Sequence, residues 1–236
     1  RPPGSTLFPY TTLFRSGAEN PITGSFSPGV TTVTSTGMNT WVNNELWLEV
    51  NNPAGGTGWV NAWYLTECMP SADFCSDPQV TTLLENLKQA ILNEDGSLLA
   101  SLVSPAHGLE VYYWRYGPSA NYTAEEASWV FNSDYEVNWG AGPSDIDDVG
   151  TFRQIPLPAL LDVFNAPDYQ QQCNDPSSVN MYPEPYPKRY SGINYYALHK
   201  PATPDVDLDW ATWLVGVEYV KDSPYLFTLI YFQWEP

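Results

Sequence analysis

Between residues 47 and 65 the chain carries three short pieces: Trp47-Leu48-Glu49-Val50, then Gly58-Trp59-Val60, then Trp63-Tyr64-Leu65. Each alternates large apolar or aromatic residues with polar ones, the period-two pattern of half-buried strands. The glycines of Pro53-Ala54-Gly55-Gly56-Thr57-Gly58 meet the needs of a tight connection. Two short strands are therefore expected to fold back on each other here.

The arrangement W-x-x-V, a glycine turn, G-W-V and a closing Y-L resembles the end of a bacterial SH3-like (SH3b) domain. That family is a small β-barrel, commonly an accessory binding module in secreted and cell-wall proteins. The resemblance extends upstream through residues 24–34, which look like the family's strand, Pro28-Gly29 turn and following strand. A segment resembling L-N-V-R-x-G-P-G, which precedes this region in full-length members, is absent. In its place the run from Thr6 to Ser16 reads like one translated frame of a DNA-sequencing adapter, and Arg1-Pro2-Pro3 fits the same frame. Residues 1–16 are accordingly expected to lie outside the fold. Residues 17–67 then form a truncated barrel without its first strand, and the chain reads as a fragment from which any signal segment has been lost. The resemblance implies recognition of cell-wall peptide or glycan, with Trp47, Trp59, Trp63 and Tyr64 as binding residues.

Acidic residues outnumber basic ones 27 to 9, a formal net charge of −18. Such a charge opposes nucleic acid and anionic membranes, which both require a positive patch to displace counterions. No apolar run is long enough to span a bilayer. Few lysines with many Trp, Tyr, Asn and Pro fit an exported bacterial protein of the cell envelope or extracellular space.

The three cysteines are Cys68, Cys75 and Cys173, with no C-x-x-C pair and only two histidines, which disfavours a structural zinc site. An exported chain is expected to form one disulfide. Cys68 with Cys75 would close a short linker loop; Cys75 with Cys173 would remove more loop-closure entropy from the unfolded state and is preferred. Three free thiols in a reducing compartment is the alternative.

Residues 68–76, short and proline-bearing, read as a linker, and 77–236 as an α+β domain. Asp77 and Pro78 suit the N-cap and first position of a helix, and Val80, Leu83, Leu84, Leu87, Ala90 and Ile91 recur at helical spacing. A short helix is expected over 97–103, a strand over 109–114, a helix over 123–131 with Thr123 and Glu126 as a capping box, a strand over 135–140 and a short helix over 159–164. The β-rich runs 209–220 and 225–234, joined through Lys221-Asp222-Ser223-Pro224, should pair as a C-terminal hairpin. Helices first and a hairpin last predict helices packed on one face of an antiparallel sheet. That element order resembles the cone-shaped folds of the nuclear transport factor type.

Candidates for chemistry are sparse. Ser104 and His107 lie in Ser104-Pro105-Ala106-His107-Gly108, where a helix gives way to a strand, and could act as nucleophile and base; a turn is the competing reading. Glu110, Glu125, Glu126, Glu136 and Glu218 could include a carboxylate pair for glycoside hydrolysis. Asp145 and Asp147, and Asp205 and Asp207, stand on acidic loops that could present oxygens to calcium, although EF-hand spacing is missing. Solvated loop charge is the simpler reading, so no metal and no cofactor are expected. Aromatics including Trp114, Trp129 and Trp139 could serve as core or as a sugar platform, and Tyr182 and Tyr186 in the Tyr-Pro-rich stretch 181–187 are the ones expected to be exposed for binding. The sequence thus predicts a non-catalytic binding protein of the cell envelope. The alternative is a wall-active hydrolase with a catalytic C-terminal domain and the barrel for targeting.

Overall fold

A computed structural model describes residues 4–7, 12–26, 32–43, 45–52, 55–67, 69–142, 146–179, 186, 190 and 192–234. By internal contacts the chain divides into two units: Arg1–Pro70 with Tyr186–Ile193 and Tyr219–Asp222, and Ser71–Pro185 with Asn194–Glu218 and Ser223–Pro236.

The first unit is built on the alternating segments. Its strands are β1 (Gly4–Leu7), β2 (Thr12–Arg15), β3 (Ile22–Phe26), β4 (Thr32–Val42), β5 (Glu45–Asn51), β6 (Thr57–Asn61) and β7 (Leu65–Glu67). β5 and β6 fold back as expected, with Trp47 opposite Asn61 and Val50 opposite Gly58. Gly55 and Gly56 in the connection have φ of 109° and 77°, a region that side chains avoid. A 3-10 turn over Ala62–Tyr64, capped by Asn61, leads into β7. Val33, Val50, Val60 and Leu65 form the buried cluster, with Leu48 and Tyr64 packed on it.

One expectation is corrected here. Residues 1–16 do not all stay outside: β1 pairs with β4 and β7, and β2 pairs with β3 and β6. The β-prone runs 4–7 and 12–15 meet strand edges that would otherwise be open, and pairing satisfies their backbone groups. No closed barrel is seen among the described strands. The described strands make a seven-stranded sheet in the order β3-β2-β6-β5-β4-β1-β7, and no ladder joins the outer two.

The second unit begins earlier than predicted, because residues expected to be linker form α1 (Ser71–Ser76). α2 (Pro78–Leu92) follows, with the Asp77 carboxylate accepting from Gln79 N–H, then α3 (Gly96–Leu102) capped by Asp95. The capping box of Thr123 and Glu126 starts α4 (Ala124–Trp129), and α5 is Pro156–Phe164. The strands are β8 (Leu109–Tyr112), β9 (Ala120–Tyr122), β10 (Val137–Ala141), β11 (Asp147–Gly150), β12 (Gln170–Cys173), β13 (Asn194–Lys200), β14 (Ala211–Val220) and β15 (Ser223–Gln233). Lys221 and Asp222, with φ of 53° and 61°, make the two-residue turn between β14 and β15.

Six of these strands form one sheet in the order β12-β13-β14-β15-β8-β9, while β10 and β11 pair separately. The large sheet is mixed, not antiparallel throughout, because β8 runs parallel to β15. The chain leaving α3 already runs alongside β15, with Val103 bridged to Leu226 in parallel, and it enters the sheet in that direction. β14 is buried from Ala211 to Tyr219, the unbroken burial of a strand covered on both faces. A disulfide joins Cys75 to Cys173, tying α1 to β12. The chain is therefore mixed α/β with sheet predominating.

Candidate functional site

Three weak candidates from distant parts of the sequence meet in the second unit. α3 ends at Leu102 with Val103 as its extended C-cap, and Ser104 is fixed beside β15 by its N–H to Leu226 O at 2.9 Å. The turn closes with Gly108 N–H on Ser104 O at 3.0 Å. Gly108 has φ +77°, and a Cβ there would lie 2.5 Å from Asn121 Oδ1, so glycine is required. Ala106 N–H and His107 N–H both donate to Ser104 Oγ at 3.1 Å. The turn thereby aims Ser104 Oγ and the His107 ring at β14, where Glu218 receives them. Ser104 donates to Glu218 Oε1, and His107 Nδ1 lies 2.9 Å from Oε1 and 2.8 Å from Oε2. Nδ1 facing a carboxylate carries the proton. The Phe227 ring meets His107 edge-on at 5.9 Å, and Asn121 Nδ2 holds His107 O at 3.0 Å.

The order of partners decides what this cluster can do. In a nucleophilic triad the imidazole stands between hydroxyl and carboxylate, taking the proton from one and being oriented by the other. Here the carboxylate stands in the middle. The hydroxyl of Ser104 spends its one donor on Glu218 and both lone-pair positions on backbone N–H groups, so no lone pair is left to attack. Exposures of 2% for Ser104, 7% for His107 and 2% for Glu218 also shut out a polymeric substrate. The arrangement is a satisfied buried polar network that pins the turn at 104–108 to the central sheet.

The other predicted residues do not join it. Asp147 accepts from Asn138 Nδ2 at 2.8 Å and Asp148 from Trp114 Nε1 at 2.7 Å; Asp145 lies outside the described residues. Asp205 and Asp207 are exposed, with φ of 73° and 56°. Among the described residues no group of three or more His, Cys, Asp or Glu could hold a metal ion. Glu110 accepts from Ser119 at 2.7 Å, Glu126 completes its capping box, and Glu125 and Glu136 are exposed. Trp139 is buried with its Nε1 on Gly150 O at 3.0 Å, which makes it core.

In the first unit, Trp47 is buried at 6% and lies under the Arg15 guanidinium, 4.7 Å from the ring centroid. It is not a contact surface. Trp59 and Tyr64 are half-buried; Tyr186 is half-buried against Tyr190; Tyr182 lies outside the described residues. The open tryptophans are Trp63, 56% exposed, and Trp41, 68% exposed. Trp41 faces Leu46 at the start of β5, and Trp63 follows Asn61, which faces Trp47 one position further on. Both therefore stand at the same end of the sheet. Trp41 lies where the alternating pattern is masked by the Thr-rich β4, which is why sequence reasoning passed over it.

A cleft of about 520 Å³ in the second unit was also missed. It is formed where the end of α5 and residues 166–168 face the segment after β13, with Asp162, Asp168 and Lys200 on its walls. Lys200 Nζ is held by Asp162 at 2.9 and 3.0 Å. The signal available in sequence was only the prolines Pro167, Pro201 and Pro204 around one lysine.

Fold and sites together define a two-unit, sheet-rich α/β chain that holds, among the described residues, a buried polar network and an open cleft. Comparison with protein-family models, with curated proteins and with solved structures gives no match. Among the described residues no helix is long and apolar enough to cross a membrane.

Proposed function

We propose that this chain is a binding protein of the bacterial cell envelope or extracellular space, whose first unit is an SH3-like module recognising cell-wall peptide or glycan. The observation that carries this reading is the pair Trp41 and Trp63, each more than half exposed at one end of the first sheet. Tryptophan is seldom left this open, because its large apolar surface gains more from burial than almost any other side chain. Where it is open it is enriched in contact sites, offering a flat apolar face and one N–H donor. The disulfide between Cys75 and Cys173 supports an oxidising compartment.

A hydrolase is the second reading, favoured only by the meeting of Ser104, His107 and Glu218. Their burial and the fully used hydroxyl of Ser104 argue for a structural role. Cosedimentation of the chain with purified peptidoglycan separates the two readings. Retention in the pellet that is lost in Trp41→Ala with Trp63→Ala supports recognition. No retention sinks it, and release of soluble fragments abolished by Ser104→Ala establishes the hydrolase.

A further inference from the structure

We propose that the cleft at the end of α5 is a second binding site, specific for a primary ammonium group carried on an aliphatic stem, as in a lysine side chain or an alkyl diamine. Its volume of about 520 Å³ lies in the range of small-molecule sites. Leu161, Ala166, Pro167, Pro201, Ala202 and Pro204 supply the apolar lining, and the prolines stiffen the chain on both sides. The wall is locked in place: Thr203 N–H donates to Asp209 Oδ1 at 2.7 Å and the Thr203 hydroxyl donates to Oδ2.

The sign of the ligand follows from what remains unpaired. Lys200, the one cation among the described lining residues, is 18% exposed at its side chain and already held by both oxygens of Asp162. Two of its three N–H donors are spent on that carboxylate, which also balances its charge, so it offers a ligand anion little net attraction. Asp168 is exposed, lines the cleft, and its carboxylate makes no hydrogen bond or ion pair among the described residues. The C-terminal turn of α5 forms the adjacent wall through Leu161, Asp162 and Asn165, and the carbonyl end of a helix favours a cation. An entering ammonium therefore meets Asp168 and the helix terminus while its methylenes cover the proline and alanine surface. An anion meets Asp162 and Asp168, and a cation whose charge Asp162 already balances.

The test uses the whole chain and cadaverine as the probe, with glutarate, a carboxylate at each end of a similar stem, as the opposite-charge control. Backbone amide shifts of Ala166, Asp168, Ala202 and Thr203 are followed by NMR during titration. Saturable shifts with cadaverine, weakened by salt and about tenfold by Asp168→Asn, with none from glutarate, are expected. Asp168 is exposed, so this variant leaves the fold intact, and Asp168→Glu should retain binding. The proposal is overturned if cadaverine produces no saturable shift, if glutarate shifts the same amides as strongly, or if Asp168→Asn binds cadaverine unchanged.

Discussion

His107 and Glu218 lie 111 residues apart in sequence and meet with Nδ1 2.8 Å from Oε2, both side chains buried. One comes from a turn after a helix, the other from the central strand of a sheet, and the serine of the same turn shares the carboxylate. Removing one partner of such a network strands the others away from water.

Glu218→Ala should therefore cost about 3 to 5 kcal/mol, since it leaves the imidazole and a hydroxyl buried without their acceptor. Ser104→Ala should cost about 1 to 3 kcal/mol, because Glu218 loses one donor and two backbone N–H groups lose their acceptor. Urea unfolding of both variants and of the double variant checks this. A coupling near zero in that cycle contradicts the network.

The disulfide between Cys75 and Cys173 closes a loop with a sequence separation of 98 residues. In the chain-entropy description a loop of that length stabilises the fold by about 4 to 5 kcal/mol. Thermal unfolding with and without reductant, and of Cys75→Ser, should show the second unit losing stability by this order. An unchanged midpoint refutes the assignment.

His199, half-buried, places Nδ1 2.8 Å from Thr212 Oγ1, and burial lowers its pKa below the ordinary 6.5, against smaller opposing contributions from Ala211 and Asp168. The unfolded chain then binds the proton more readily than the folded one. The stabilisation from neutral His199 is complete above pH 6.5 and is lost as pH falls from there through the lower folded value. His199→Gln should flatten the loss of stability as pH falls below 6.5. Equal slopes in the two proteins exclude the effect.

Asp209 shifts in the same sense at lower pH, with the charged form now the favoured one. Hydrogen bonds from the Thr203 side chain and backbone hold its pKa below 3.8, so its stabilisation is present above that value and disappears as pH falls through the lower folded value. Asp209→Asn should destabilise the 203–209 loop at neutral pH, and the difference from the parent should shrink under strong acid. Hydrogen exchange of the Thr203 amide across that range measures it.

The tryptophans of the first unit should separate by burial. Trp47→Ala should cost about 3 to 5 kcal/mol as a core deletion. Trp41→Ala and Trp63→Ala should stay within about 0.5 kcal/mol of the parent, as exposed positions do. Chemical unfolding of the three variants gives the answer, and a large loss at Trp41 would place it in packing and weaken its claim as a contact surface.

Local signals in the sequence translated well wherever a residue acts on its neighbours. Asp77 with Pro78, and Thr123 with Glu126, start helices because a cap works within one turn. The alternation from Trp47 to Val60 produced a ladder because period two sets which face each side chain occupies. β12 was missed because Gln170, Gln171 and Gln172 carry no alternation; that edge strand exists by pairing with β13. The parallel step between β8 and β15, the order of the described strands in the first sheet, and the incorporation of β1 and β2 all depend on which edges meet in space.

The amino-acid sequence determined the capped helices and alternating strands of this protein, its acidity, and the short list of groups able to do chemistry. Only the tertiary structure decided what those groups are for. It put Glu218 between Ser104 and His107, not beyond them, buried Trp47 while leaving Trp41 open, and joined α5 to the end of β13 around a cleft. Spacing along the chain governs capping and periodicity, which act over a few residues. Partner order, burial and cavities come from contacts closed across a hundred residues, and no local pattern encodes them.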